Sequence, residues 1–356
     1  MKETVLVAMS GGVDSSMTPA LLLEAGHALR GATMKLYCGR QDENVCGSSR
    51  DAADAAKTAE MLGFPHEILD YTADFQTEVM ERFAAGYRRG ETPNPCIECN
   101  RYMKFLRLWK RAQETGCDAI ATGHYARVEQ DENTGRFLLK KPLDLSKDQT
   151  YVLYHLSQEQ LAHVRFPLGV YYKADIRRMA AERGLLAAAK PDSQDICFVP
   201  DGDYAAFLER FTGETVGAGD FVNLAGAVCG RHRGHIHYTV GQRKGLGVAF
   251  GQPMYVIAKD AEKNTVTLGA KEDLPCTALV ADDLNWIAIE TLDAPRRLAV
   301  KTRYHQPETM ATVLPDGNGV RVEFDQPKVA APGQAVVFYD GDSVVGGGTI
   351  RRILRG

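Results

Sequence analysis

The sequence predicts an α/β protein in which a parallel-sheet domain is followed by two small, mostly β modules, the last of them a β-barrel. Two observations predict this class. Strand-like and helical patterns alternate in the first half of the chain, and from about Gly217 short β-like runs are separated by Gly, Pro and Asp. A βαβα order favours a parallel sheet with helices on both faces. We therefore expect domains at residues 1–212, 213–277 and 278–356.

The first half supplies the elements of the parallel sheet. In chain order, we predict strands at residues 4–9, 28–36, 66–69 and 118–122, and helices at residues 15–24, 51–62, 72–87, 102–114, 176–183 and 204–211. Ligands of such sheets bind at the carboxyl ends of the strands. The loops of interest are therefore residues 10–14, the stretch after Met34, and residues 122–125.

The second half has the turn chemistry of antiparallel β structure. The segment Pro-Asp-Gly-Asn-Gly at residues 315–319 lies between two alternating runs, which indicates a hairpin. The runs from about residue 278 onward are typical of a small barrel. We expect the basic residues Arg351, Arg352 and Arg355 to form a frayed tail rather than a phosphate-binding patch.

The composition is that of an ordinary globular protein, with 44% hydrophobic and 25% charged residues. No apolar run approaches the roughly 20 residues of a transmembrane helix. The first residues lack the apolar core of a signal peptide. We therefore expect a cytoplasmic protein with no membrane partner. Its eight cysteines are then reduced, and some are available for metal or catalytic roles.

The charge is unevenly placed along the chain. The net charge of −4 does not indicate nucleic-acid binding by itself. Residues 229–250, however, contain histidines and cations but no Asp or Glu. The cations are Arg231, Arg233, Arg243 and Lys244. Such a basic patch is suited to phosphate contacts, whose strength falls steeply as salt rises.

A small glycine-rich turn follows the first predicted strand. The segment Ser10-Gly-Gly-Val-Asp-Ser15 lacks the lysine of a Walker A loop and the G-x-G-x-x-G spacing of a dinucleotide fold. It is either a tight strand-to-helix turn or an anion site at a helix N-terminus. In the second case Ser10 and Ser15 add hydroxyl donors, and Asp14 holds Mg²⁺ or positions the loop. The segment resembles the loop of the N-type ATP pyrophosphatases, which split ATP into AMP and pyrophosphate.

Cysteines give the second chemical signal. Cys96 and Cys99 form a Cys-x-x-Cys pair in a proline-rich loop. The pair has several interpretations: half a zinc site, a thioredoxin-like redox pair, two ligands of an iron–sulfur cluster, or no function. No second Cys-x-x-Cys or His pair completes a zinc site. Cys197 lies on a short apolar stretch, where a buried core thiol is the ordinary alternative to a reactive one.

The motifs together resemble the MnmA family of tRNA-specific 2-thiouridylases over nearly the whole chain. The segments that carry the resemblance are AMSGGVDSS, TPNP-x-x-x-CN, ATGHYAR, KDQTYVLY, S-x-x-ICF, HYTVGQRKGLG, VKTRY and APGQAVVFY, in the family's order and spacing. The resemblance implies a catalytic domain of the ATP-pyrophosphatase fold and a C-terminal barrel that binds tRNA. It also implies a transferase reaction, in which ATP adenylates the 2-oxygen of the wobble uridine and sulfur replaces AMP.

The resemblance assigns roles to the cysteines. The residue matching Cys197 carries the persulfide, and the one matching Cys99 assists by forming a disulfide bond with it. Well-studied members have Asp at the position of Cys96, which raises a second route. Cys96, Cys99 and Cys197 could hold three irons of a [4Fe–4S] cluster, leaving the fourth iron to bind sulfide. We expect structural roles for the other cysteines, which are Cys38, Cys46, Cys117, Cys229 and Cys276.

Further residues are assigned by the same resemblance. The expected ATP contacts are Ala8, Met9, Ser10, Gly11, Gly12, Val13, Asp14, Ser15, Met34 and Gly123. The expected contacts with the target base or with tRNA are Asn94, Pro95, Cys96, His124, Lys147, Asp148, Gln149, Arg303, Tyr304 and Gln334. Without the resemblance, residues 147–149 would be interpreted as a solvated charged turn. For Met34 a core strand residue, and for residues 303–304 an exposed pair on a strand, would remain as open alternatives to a binding role.

The implied cofactors and partners are ATP, Mg²⁺, and tRNA of the Lys, Glu and Gln isoacceptors. A cysteine desulfurase or a sulfur-relay protein would supply the sulfur, and we expect a monomer. Two competing functions remain. Another adenylating ligase, acting on a small metabolite, would explain the glycine loop but not the paired cysteines or the basic β modules. A tRNA- or ATP-binding module without turnover would bind ATP and form no AMP.

Overall fold

The computed structural model describes residues 2–37, 49–190, 196–248 and 251–355, so the predictions for Cys38 and Cys46 lie outside the described residues. The chain divides into two compact units with interleaved segments. The first unit comprises residues 1–80, 96–200 and 341–345, and the second comprises residues 81–95, 201–340 and 346–356. No helix among the described residues is both long and apolar enough to cross a membrane.

The first unit is built on a parallel sheet, which confirms the predicted fold class. Within the described residues its strands, in spatial order, are His66–Asp70, Ala28–Lys35, Thr4–Ala8, Ala119–Ala121 and Val164–Arg165. Every neighbouring pair is parallel. The strand order reverses at Thr4–Ala8, which has the next strand of the chain on one side and Ala119–Ala121 on the other. The crevice beyond this reversal is where doubly wound sheets bind ligands.

Helices cover the sheet of the first unit. They are Val13–Glu24, Ser49–Leu62, Thr72–Phe75, Pro95–Glu98, Leu108–Glu114, Gln158–His163 and Lys173–Glu182, with π-helical stretches Gln76–Glu81 (its last residue in the second unit) and Cys99–Arg107. A short hairpin of Arg127–Gln130 and Phe137–Lys140 completes the unit. The clearest departure from expectation is the helix predicted at residues 102–114. Helical structure begins instead at Pro95, because proline suits the first helical position, where its missing N–H costs nothing.

Two β structures make up most of the second unit, as predicted. In the described ranges, one is a sheet of Tyr255–Asp260, Thr265–Gly269, Gly219–Val222 and Val228–His232. The other is an antiparallel barrel of Cys276–Trp286, Arg296–Lys301, Thr309–Asp316, Gly319–Lys328, Ala335–Asp340 and Ser343–Leu354, closed by pairing of its first and last strands. The hairpin at residues 315–319 is confirmed, since Asp316 pairs with Gly319. Helices Arg82–Arg88 and Tyr204–Thr212 also belong to this unit.

The expected frayed basic tail is wrong. Arg351 and Arg352 lie in the last barrel strand, where Arg352 pairs with Val280. The Arg355 guanidinium donates to the Ile257 carbonyl at 3.0 Å. Residues 351–354 are therefore held by backbone pairing with the first barrel strand, which the sequence of the tail alone does not reveal.

Candidate active site

The turn after the first strand depends on a glycine. Gly11 has φ +72°, in the left-handed region that favours glycine. A Cβ on Gly11 would lie 2.5 Å from the backbone oxygen of Asp51, in the first turn of helix Ser49–Leu62. The turn is thus packed directly against the start of that helix, so both its conformation and its surroundings require a hydrogen side chain.

Ser15 holds the turn closed from inside. Its hydroxyl donates to the Gly12 carbonyl at 3.0 Å and accepts bonds of 3.1 Å from the backbone N–H and the hydroxyl of Ser10. Helix Val13–Glu24 begins directly after Gly12, and no side chain caps it there. The first N–H groups of a helix have no partner within the helix, so an uncapped start next to a closed turn is suited to bind an anion.

The two loops beside the strand reversal are in contact. A Cβ on Gly123 would lie 2.9 Å from the carbonyl carbon of Asp14 and 3.0 Å from the backbone nitrogen of Ser15. Only glycine lets the loop after Ala119–Ala121 approach the helix start so closely. Met34 is half-buried near the carboxyl end of the adjacent strand Ala28–Lys35. The structure therefore brings the predicted phosphate and adenosine residues to one edge of the sheet.

Asp14 has both carboxylate oxygens engaged by distant side chains. The Tyr125 hydroxyl donates to Oδ1 at 2.9 Å, and Lys173 Nζ donates to Oδ2 at 2.6 Å. The Lys173 side chain is only 8% exposed. Of the two roles considered for Asp14, these contacts favour positioning of the loop.

His124 follows Gly123 and is buried. Its Nδ1 lies 2.7 Å from the Thr122 hydroxyl and its Nε2 lies 3.5 Å from Lys104 Nζ. Because an ammonium group only donates, Nε2 is the acceptor and Nδ1 carries the proton. Burial lowers the pKa of His124 well below its usual value, and the positive charge of Lys104 lowers it further. The imidazole is therefore neutral at physiological pH.

The paired cysteines lie at the start of a helical segment in the first unit. Cys96 is exposed in the short helix Pro95–Glu98, and Cys99 is half-buried at the start of the π-helical stretch Cys99–Arg107. Asn100, the next residue, is buried and donates to the Val152 carbonyl at 3.1 Å. One of the two cysteines is thus exposed to solvent, while the side chain of Asn100, which follows the other, is hydrogen-bonded in the core.

Cys197 is half-buried beside the core residue Phe198. The Phe198 ring meets that of Phe75 edge to face at 5.7 Å, which anchors the segment on helix Thr72–Phe75. The same helix is tied to the Cys99–Arg107 stretch by an ion pair of Asp74 with Arg107, at 2.6 Å. Both segments that carry the predicted sulfur chemistry therefore pack on one short helix.

The metal-site interpretations of the cysteines have a direct geometric test. Within residues 2–37, 49–190, 196–248 and 251–355, no three His, Cys, Asp or Glu side chains are grouped to hold a metal ion. Cys96, Cys99 and Cys197 are thus not arranged here as a ligand set for a [4Fe–4S] cluster. Of the cysteines expected to be structural, Cys117 and Cys276 are buried, whereas Cys229 is exposed. Burial raises the pKa of Cys276 to about 11.

Comparisons with known proteins cover nearly the whole chain. A 4-thiouridine synthetase solved with RNA and bound ATP aligns with a TM-score of 0.39 at 21% identity, over 59% of this chain and 50% of that chain. Family models match three ranges: a tRNA methyl transferase HUP domain at residues 3–201, a tRNA methyl transferase PRC-barrel domain at 205–270, and an aminomethyltransferase beta-barrel domain at 276–350. The tRNA-specific 2-thiouridylase MnmA of Heliobacterium modesticaldum is 52% identical over 99% of this chain and 94% of its own length. The tRNA-specific 2-thiouridylase MnmA of Acetivibrio thermocellus is 48% identical over 98% of this chain and 99% of its own length. The chain belongs to the MnmA family.

In this MnmA family member, the predicted tRNA loop of the first unit also supports the turn around Asp14. Gln149 Oε1 accepts a 2.8 Å bond from the backbone N–H of Tyr125, whose hydroxyl binds Asp14. Asp148 Oδ1 accepts bonds from the backbone and the hydroxyl of Thr150, at 2.9 and 2.6 Å. Residues 147–149 are thus an ordered turn in which Gln149 holds a neighbour of the glycine loop.

The predicted tRNA residues of the second unit also have protein partners. Gln334 Nε2 donates to the Thr92 carbonyl at 2.7 Å, at the start of the loop that carries Asn94 and Pro95. Arg303 Nη2 donates to the Val240 carbonyl at 3.0 Å. Residues 303–304 follow strand Arg296–Lys301 rather than lying on it, which corrects the expectation of a strand pair. In the basic patch, Arg231, Arg233, Arg243 and Lys244 are all exposed, and Arg231 pairs with Asp220 at 3.0 Å.

Sequence reasoning assigned no role to three residues around the glycine turn: Lys173, Lys190 and Tyr125, the last of which lies in the predicted loop of residues 122–125. Lys190 Nζ binds Asp51 at 3.0 Å and Asp54 at 2.7 Å, and the hydrogen bond from Lys190 is the main cause of a lowered pKa of Asp54. The one feature of the sequence that could have indicated Lys173 or Lys190 is the absence of a lysine from the glycine turn. A phosphate-binding loop without its own lysine needs a cation from elsewhere in the chain, but the sequence does not show which residue supplies it.

Proposed function

We propose that this MnmA family member is a tRNA-uridine 2-sulfurtransferase that uses ATP to thiolate the wobble uridine at position 2. The observation that carries the proposal is the closed, uncapped turn of residues 10–15 beside the strand reversal, in contact with Gly123. Such a turn suits the phosphates of ATP. Membership of the MnmA family supports tRNA as the acceptor. The small-metabolite ligases have no such support.

The first step is adenylation. The uridine 2-oxygen attacks the α-phosphorus of ATP, the bond to the bridging oxygen breaks, and pyrophosphate leaves with that electron pair. This converts a poor leaving group, the carbonyl oxygen, into a good one, AMP. Backbone N–H groups at the start of Val13–Glu24 bind phosphate oxygens, and Mg²⁺ reaches the site with the nucleotide, since it prefers substrate phosphates as ligands.

The second step delivers sulfur. The terminal sulfur of a Cys197 persulfide attacks uridine C2 and AMP leaves. The Cys99 thiolate then attacks the Cys197 sulfur, which releases 2-thiouridine and leaves a disulfide between Cys99 and Cys197 for an external thiol to reduce. A wobble base reaches these residues only when it is unstacked from the anticodon loop. We draw no step through a [4Fe–4S] cluster, because the three cysteines are not grouped to hold one.

The remaining assignments follow from the family resemblance. Asn94, Pro95 and Cys96 face the target base, and His124, Lys147, Asp148, Gln149, Arg303, Tyr304 and Gln334 contact the tRNA. The tRNA substrates are the Lys, Glu and Gln isoacceptors, and a cysteine desulfurase or relay protein charges Cys197. The enzyme acts as a monomer in the cytoplasm. The exposed cations Arg231, Arg233, Arg243 and Lys244 support phosphate contacts by the second unit.

The test is a thiolation assay with anaerobically purified protein, ATP, Mg²⁺, a persulfide donor and an unmodified glutamate-type tRNA transcript. Pyrophosphate, AMP and 2-thiouridine are measured, the last by nucleoside mass spectrometry. We expect all three products from the wild type. Cys197→Ser should lower the formation of 2-thiouridine and the release of AMP at least ~100-fold, while tRNA-dependent pyrophosphate release, which precedes the attack of sulfur, persists. Cys229→Ser, an exposed cysteine of the second unit, is the matched control and should behave as wild type.

Two results would contradict the proposal. Folded, ATP-binding wild type that forms no AMP in response to tRNA is not a tRNA adenylating enzyme, and stimulation by a small metabolite instead would indicate the ligase alternative. If 2-thiouridine forms only with protein that contains iron, the persulfide route is wrong and the cluster route takes its place.

A further inference from the structure

We propose that Lys173 is the phosphate-binding cation of this site, supplied from a separate helix in place of the lysine that the glycine turn lacks. The inference rests on the proposed function and adds a residue to its adenylation step. Asp14 and Lys173 are 159 positions apart in the chain and meet through a 2.6 Å contact at the first turn of helix Val13–Glu24. That turn is where the proposed function places the phosphates of ATP.

Two features of the position of Lys173 are unfavourable for an ammonium group. Its side chain is 8% exposed, and a buried lysine needs a compensating partner, which here is the Asp14 carboxylate. It is also the first residue of helix Lys173–Glu182, where the helix dipole disfavours a positive charge. An ammonium group is held there against both solvation and the dipole, which indicates that its charge is needed at the turn.

Several contacts aim the ammonium group at the turn. The Lys173 backbone N–H donates to Asp144 Oδ2 at 3.0 Å, which fixes the start of its helix. Asp144 Oδ1 in turn accepts from the Ser146 backbone and hydroxyl, at 3.1 and 2.6 Å. The Tyr125 ring lies 5.8 Å from Lys173 Nζ, and the Tyr125 hydroxyl binds the other oxygen of Asp14. The ammonium group is thus oriented from its backbone, from its side and from its carboxylate partner.

The chemistry of adenylation explains why such a cation is useful. Negative charge builds on the departing pyrophosphate as its bond to the α-phosphorus breaks, and a nearby ammonium group stabilises that charge without transferring a proton. A carboxylate alone at the helix start would repel the phosphates. Lys173 neutralises Asp14 before the nucleotide binds and is then shared between the carboxylate and a phosphate oxygen.

The alternative is an ion pair whose only task is to neutralise Asp14. The two roles differ when both charges are removed together. If Lys173 serves only Asp14, the double variant Asp14→Asn with Lys173→Met regains the activity that Lys173→Met loses. If Lys173 serves the pyrophosphate, the double variant stays as slow as the single one.

The experiment compares wild type, Lys173→Met, Lys173→Arg and the double variant. Tm reports folding, a binding isotherm reports ATP affinity, and tRNA-dependent AMP formation gives kcat, KM for ATP and inhibition by added pyrophosphate. We expect Lys173→Met to lower kcat by about 100-fold and to weaken pyrophosphate inhibition at least ~10-fold. Lys173→Arg should recover part of kcat. Lys140→Met, which removes another ion-paired lysine of the first unit, should leave kcat within about threefold of wild type.

The inference is overturned if Lys173→Met keeps kcat within about threefold of wild type, or if the double variant recovers to that level. If Lys173→Met does not fold, the double variant decides: unchanged pyrophosphate inhibition in that variant rejects the proposal. A wild type that binds ATP but forms no AMP with tRNA rejects the proposed function instead. In that case pyrophosphate protection of the wild type against heat, and its loss in the variants, still tests Lys173.

Discussion

Replacing Gly123 by alanine tests the contact between the two loops at the strand reversal. The added Cβ would lie 2.9 Å from the Asp14 carbonyl carbon, 3.0 Å from the Ser15 nitrogen and 3.1 Å from the Asp14 Cβ. Carbon atoms in favourable contact are about 3.5–4.0 Å apart. One of the two loops must therefore move by roughly 0.5 Å or more. All three neighbours belong to the first turn of the helix, so relaxation displaces that turn.

The size of the effect follows from this geometry. Overpacking of this kind costs about 1–3 kcal/mol of folding free energy. At about 2 kcal/mol, Tm should fall by roughly 4–8 °C. The displaced turn also misaligns backbone N–H groups toward the nucleotide, and hydrogen bonds to a charged group contribute about 1.5–3 kcal/mol each. Loss of one such bond raises the Kd for ATP by roughly 10–100-fold.

The assay pairs thermal denaturation with an ATP binding isotherm. The matched control is Gly217→Ala in the second unit, because a Cβ there meets no atom within 4 Å. Gly217→Ala should change Tm by no more than about 2 °C and leave ATP binding at the wild-type value. An alanine at position 123 with unchanged Tm and unchanged ATP affinity would show that the loops are not in contact in solution, and the assignment of this edge as the nucleotide site would lose its main support.

Two further predictions concern the second unit. Burial lowers the pKa of Lys259 to about 8, whereas an unfolded lysine titrates near ~10.4. Between these two pKa values the unfolded chain binds more protons than the folded chain, so folding stability should rise with pH. The Tm of wild type minus the Tm of Lys259→Met should therefore increase from pH 8 to 10. If the Tm-against-pH curves of the two proteins are parallel, Lys259 does not carry a destabilising buried charge. Gln334→Ala removes the 2.7 Å bond to the Thr92 carbonyl, a loss of about 1 kcal/mol. We expect faster hydrogen exchange at residues 92–95 and a several-fold higher KM for tRNA, with the KM for ATP unchanged. An equal rise in the two KM values would show that the substitution does not act through the loop of residues 92–95.

Much of the architecture is predictable because it depends on local chemistry. Apolar runs followed by helical patterns predict the strands Thr4–Ala8 and Ala28–Lys35 and the helix between them, and their βαβ order dictates a parallel sheet. The hairpin at residues 315–319 follows from its turn residues. The start of helix Pro95–Glu98 was not predictable in this way, because a proline in a Pro-rich segment is equally compatible with a loop and with the first position of a helix.

The sequence by itself determined the α/β class, the β-rich second half, and the family to which the glycine turn and cysteines belong. Only the tertiary structure decided which distant groups serve that turn. Lys173 reaches Asp14 across 159 positions, and Gln334 reaches Thr92 across 242. Periodicity and turn chemistry report interactions between neighbours along the chain. The pairing of charged or polar groups from different elements depends on how those elements pack, and no local pattern records it.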